Sequence, residues 1–220
     1  MSRKPHYSRG FLACQDDRLG TAQWRVPVVP SDPGSDVTQP SEQDRLAYER
    51  ILLVTELLPP DPTWPRYSTR PFPPYCFLPG QSPHPRRDPR GHSYGQPEPR
   101  PPACRPEAWR ECDWYLYGVD LYNYAYWWES HEAFEGLWHA AGHATQQGRF
   151  FQALIQVAAA NLKRVLGQPT PTANLVRAGL ARLQEVPPIY MGLDVAAFAA
   201  DVRAHWEGSR QMPPLIRLAW

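Results

Sequence analysis

The run ESHEAFEGLW, residues 129–138, gathers side chains that can move protons or hold a metal: Ser130, His131, Glu132 and Glu135, closed by Trp138. In a helix, positions four apart lie one above the other. His131 therefore stacks over Glu135 and Glu135 over His139, with Trp128 and Glu132 flanking the stripe. Trp127, Phe134 and Trp138 form an aromatic wall about a quarter turn away. A column of carboxylates and imidazoles bordered by apolar residues belongs at the edge of a core, where burial and neighbours shift pKa values.

Three chemistries suit such a column. A single divalent metal is chelated by His131 and Glu135, and His84, Asp88 and His92 of the run PHPRRDPRGHSYG are the candidates for the remaining ligands. His139 cannot join them, because eight helical residues span about 12 Å while metal bonds are only about 2.0–2.2 Å. Alternatively, His131, Glu132 and Glu135 act as catalytic acid and base, since two carboxylates on adjacent turns push one pKa upward and fix the imidazole between them. The third option needs no ligand: His131, Glu132, Glu135, Gln152 and Gln156 form a hydrogen-bonded network that sets helix register, completed by Arg149 or Tyr122. Several familiar sites are excluded. Glu135 stands where a zincin helix needs its second histidine, and no histidine follows Glu132 or Glu135 by three residues, as a ferritin-like di-iron site requires. Ser130 points about 100° away from His131, no nucleophile elbow is present, and phosphate-loop and dinucleotide signatures are absent.

The elements that must position these groups follow from pattern. Residues 1–40 form an irregular, proline-punctuated tail, and residues 41–58 carry an apolar helical stripe of Ala47, Ile51, Val54 and Leu58. Sixteen of the 27 prolines lie between Pro59 and Pro106, which excludes regular helix or central sheet there. The same segment, 59–106, holds Trp64, Tyr67, Phe72, Tyr75, Phe77 and Tyr94, so it reads as an ordered strap laid over helices. From Glu107 to about 208 the pattern is helical, and residues 209–220 form a tail with an apolar end. Helices are expected near 114–123, 126–141, 149–166, 171–186 and 195–206, the last capped by Asp194. Trp127 and Trp128 cannot both face one core, so one of them meets a pocket or the strap. Short connections imply antiparallel neighbours. The expected fold is all-α: a compact antiparallel helical bundle joined by an N-terminal helix and embraced by the strap.

The net charge of +1 gives no general attraction to nucleic acid or an acidic membrane. The four cysteines show no metal-knuckle or disulfide spacing, and no stretch is long and apolar enough for a leader or a membrane span. A soluble cytoplasmic protein is expected.

The stretch LYNYAYWWESHEAFEGLW followed by FFQALIQVAAANLKRVLGQ resembles the bacterial and archaeal family named domain of unknown function 309, over roughly residues 107–185. The matched positions are Asn123, His131, Glu132, Glu135, Trp138, Gln152 and Gln156. Departures fall at Ala153, Lys163 and Gln168, where the family more often has glycine, histidine and asparagine. The strap is similar to an extension found beside this domain in some longer members. The resemblance implies a small all-helical domain and no assigned activity. Asn123, Trp128, Trp138, Arg149, Gln152 and Gln156 are the candidate ligand-binding residues. The leading expectation is recognition of a small polar ligand or a metal. An interaction scaffold with a purely structural polar cluster and a metal-assisted or acid-base hydrolase are the alternatives.

Overall fold

A computed structural model describes residues 64–210 and 212–220; the expected tail over 1–40 and helix over 41–58 lie outside the described residues. The described chain is an all-helical bundle. A short 3-10 turn, Pro106–Glu111, leads into α1 (Asp113–Asn123), α2 (Trp127–Ala141), α3 (Gln146–Val165), α4 (Pro169–Leu183) and α5 (Val195–Trp206). A two-stranded antiparallel hairpin, β1 (Ile189–Tyr190) and β2 (Leu193–Asp194), precedes α5, with Ile189 opposite Asp194. Each α-helix packs on the next in sequence. No helix is long and apolar enough to cross a membrane.

Local chemistry sets the boundaries. Asp194 accepts a hydrogen bond from the Ala197 amide at 2.9 Å and so starts α5. Thr145 does the same for the Gly148 amide at 2.9 Å, and α3 therefore begins at Gln146 rather than near Arg149. α4 opens at Pro169, whose missing N–H costs nothing in a first turn.

The core is aromatic where the first three helices meet. Tyr115 of α1 lies 6.5 Å from Phe134 of α2 and 6.0 Å from Phe151 of α3, and Phe134 and Phe151 stack at 6.4 Å. All three are sealed from solvent, and each such ring contributes about 1.5–3 kcal/mol by burial.

The described part of the strap, which starts at Trp64, docks through two buried carboxylates. Asp120 of α1 accepts from the amides of Tyr67 at 2.8 Å and Ser68 at 2.7 Å and from Arg66 Nε at 3.0 Å. Glu129 of α2 accepts from the Phe77 amide at 2.9 Å and meets His92 Nε2 at 3.3 Å. Gly91 lets the strap turn tightly, because a Cβ there would collide with the carbonyl oxygens of both His84 and Pro85. The C-terminal tail packs back onto the bundle, with Ile216 and Leu218 buried and the Leu218 amide donating to Tyr67 Oη at 2.7 Å.

Candidate functional site

α2 begins just after Ala125, which holds a positive φ of 64°, and the two adjacent tryptophans that open the helix point about 100° apart. Trp127 is buried in the main core. Trp128 instead meets the strap, with its ring 5.3 Å from Phe77 and 5.4 Å from His84, and lies 6.5 Å from the His131 ring.

Beyond Trp128 the four-residue spacing produces a ridge. His131 Nε2 lies 3.7 Å from Glu135 Oε2, and Glu135 Oε1 lies 3.9 Å from His139 Nε2. On the other side of the His131 ring, Nδ1 is 3.6 Å from Glu132 Oε1. One donor atom from each of His131, Glu132 and Glu135 falls within 4.8 Å of the others, a cluster that could hold a metal ion. His131 is buried while the two carboxylates are partly exposed. Its Nδ1 is sealed from water and makes no hydrogen bond of normal geometry, although the Trp128 backbone lies near enough to act on the ring.

Burial lowers the His131 pKa, against the opposing pull of the Glu135 charge and the Trp128 backbone, so the ring is biased towards its neutral form, the form that ligates metals. Burial also raises the Glu132 pKa, although Arg86 opposes the shift with its Nε 3.4 Å from Glu132 Oε2. Among the described residues, Arg86 pairs with Glu132 and His92 meets Glu129, while Glu135 lies between His131 and His139.

The other candidate residues have different partners. His84 packs on Phe77 and Trp128, and its Nδ1 accepts from the amides of Arg86 at 3.2 Å and Arg87 at 3.3 Å. Asp88 accepts from the Arg90 amide and side chain, which hold its carboxyl down at about 2. His92 reaches α2, but at Glu129 rather than His131, with its Nδ1 2.9 Å from Ser93 Oγ. Gln152 and Gln156 accept from Arg182 of α4, at 2.7 Å from Nε and 3.2 Å from Nη1, and among the described residues no hydrogen bond joins them to the ridge. Asn123 clasps the tail, donating to the Ile216 carbonyl at 3.0 Å and accepting from its amide at 2.7 Å. Arg149 pairs with Glu185 at 2.9 Å on the surface, Tyr122 Oη accepts from Asn161 at 3.2 Å, and Ser130 donates to the Gly118 carbonyl at 3.0 Å. Trp138 stacks on His143 with ring centroids 3.9 Å apart.

Sequence reasoning missed Glu129 and Asp120 as the strap's anchors. Asp120 had a signal, a carboxylate inside the apolar run GVDLY; Glu129 had a weaker one, three residues before Glu132 on the same side of α2.

A family model described as domain of unknown function (DUF309) matches residues 115–175. No curated protein matches the chain. The matched segment runs from the start of α1 into α4 and includes the whole ridge but not the strap, so the helices that carry His131, Glu132 and Glu135 are similar to that family.

Proposed function

We propose that the α2 ridge binds a divalent transition-metal ion, with His131 Nε2 and Glu135 Oε2 as its central ligands and Glu132 as the third. The observation that carries this reading is the spacing of His131 and Glu135. At 3.7 Å the two atoms are too far apart for a hydrogen bond, which needs about 2.7–3.2 Å. Two donors sharing an ion at about 2.1 Å each can stand up to about 4.2 Å apart, and this spacing supports the reading. A neutral buried imidazole and two carboxylates form a mixed nitrogen and oxygen set, which suits zinc, manganese, cobalt or nickel better than calcium or magnesium. Arg86 offsets part of the negative charge and orients Glu132, as outer partners of metal ligands commonly do.

Titration of chelator-treated, tag-free protein with Zn2+ and Co2+ tests this. Wild-type protein binds at least one ion per chain, and Co2+ develops visible absorption of a nitrogen and oxygen coordination shell. His131→Ala weakens that binding about a hundredfold or more, and Arg86→Ala changes it by less. Wild-type affinity no better than that of His131→Ala overturns the proposal.

A further inference from the structure

The ridge does not stop at Glu135. Its second oxygen, Oε1, lies 3.9 Å from His139 Nε2. This separation again exceeds a hydrogen bond and falls below the limit of about 4.2 Å for two donors on one ion. The two oxygens of Glu135 therefore face different imidazoles, one turn above and one turn below. We infer that Glu135 bridges two cations, one held with His131 and Glu132 and a second held with His139. The inference rests on the metal reading of the ridge and adds a second position to it.

The geometry around His139 matches a metal ligand rather than an incidental surface histidine. Its Nδ1 lies 2.9 Å from His143 Nε2, an orienting contact on one ring nitrogen that leaves the other directed at Glu135. Ligating histidines are usually fixed in this way through the nitrogen that does not bind. His143 is itself held, because its ring stacks on Trp138 at 3.9 Å with an interplanar angle of 15°. The chain reaches that position through Gly142, whose φ of 86° ends α2 and folds the following residues back over its last turn. A side chain at Gly142 would be strained in that conformation. His139 and His131 are too far apart to share one ion, and in this arrangement each ion contacts only one of them. His139 is about half exposed and Glu135 much less so, which places the second position outermost and accessible from solvent. Carboxylate-bridged ion pairs of this kind brace both oxygens of a displacement reaction, so the ligand class is a pair of divalent transition ions.

Calorimetric titration with Zn2+, paired with electron paramagnetic resonance of the Mn2+-loaded protein, tests the inference on wild type, His131→Ala, Glu135→Ala, His139→Ala and His143→Ala. The expected wild type takes up two ions per chain, with spin coupling between Mn2+ ions. His139→Ala takes up one, without coupling and with the tighter affinity unchanged. His143→Ala keeps two but weakens the second about tenfold or more, and Glu135→Ala loses the coupling and both high-affinity events. A wild type that binds one ion, unaffected by His139→Ala, overturns the second position and leaves the first standing. A second ion retained in Glu135→Ala marks a plain His139 and His143 chelate and overturns the bridge. Binding of no ion by wild type overturns the parent reading together with this one.

Discussion

Two polar clusters sit on neighbouring helices of the same bundle and are built differently. Between α3 and α4, Gln152 and Gln156 receive the guanidinium of Arg182 at 2.7 and 3.2 Å, and Arg182 also donates to the Ala178 carbonyl at 3.2 Å. On α2, His131 and Glu135 approach at 3.7 Å, and His131 Nδ1 has no hydrogen bond of normal geometry. The first cluster satisfies itself and is what a helix interface needs in order to fix register. In the second, like charges gather, direct bonds are stretched, and a buried ring is held towards its neutral form. Folding alone gains little from such an arrangement.

The contrast can be broken by substitution. Arg182→Ala withdraws the donor from Gln156, which is buried, and should cost about 2–3 kcal/mol in urea unfolding, with no change in metal affinity; a cost below about 0.5 kcal/mol would put the two clusters in one class. Acid sharpens the contrast more gently. The His131 pKa is lowered in the fold, so the unfolded chain binds the extra proton first. Metal-free stability should therefore hold above the ordinary histidine range, near 6.5, and decline as pH falls from there to the folded value, below which this contribution levels off. Glu132, raised by burial, acts in the opposite direction at lower pH, stabilising the fold as the medium acidifies from its folded value towards its unfolded one. Thermal melts of His131→Gln beside wild type isolate the histidine part, and an unchanged slope would remove it. The smallest expected effect is that of Glu135→Ala without metal, within about 0.5 kcal/mol of wild type, because no hydrogen bond to a buried group is lost. A loss of about 1–3 kcal/mol would instead mark Glu135 as a structural partner.

Much of the bundle was legible because helical periodicity and capping are local. The Asp194 cap, the glycine after Ala141 and the stripe from Phe151 to Leu162 all appear where their spacing places them. The ridge was legible for the same reason, since neighbours four apart are fixed by the helix itself. Contacts across elements were not. The histidines of the strap could be recognised as candidates, but no spacing says that His92 meets Glu129 rather than His131. The glutamines of α3 were expected beside the ridge. That helix is buried over most of its circumference, and the direction its polar row faces depends on where α4 lies. The hairpin before α5 was unread because each strand has two residues, too few for an alternating pattern. The two tryptophans that open α2 were separable in principle, and the structure assigns Trp127 to the core and Trp128 to the strap.

The bond between the Leu218 amide and Tyr67 Oη joins positions 151 residues apart. Asn123 grips the tail two residues earlier, across 93 residues. Contacts this distant in sequence form only after the intervening chain has found its own neighbours, whereas a helix and its successor meet early. The expected order of assembly is therefore helices first, with the strap and the tail closing over them last. Each of these late segments finds part of its seat on the other. A cut in the tail would loosen the strap, distant though it is in sequence, and opening of that seam should be the first event of unfolding, before the aromatic core yields.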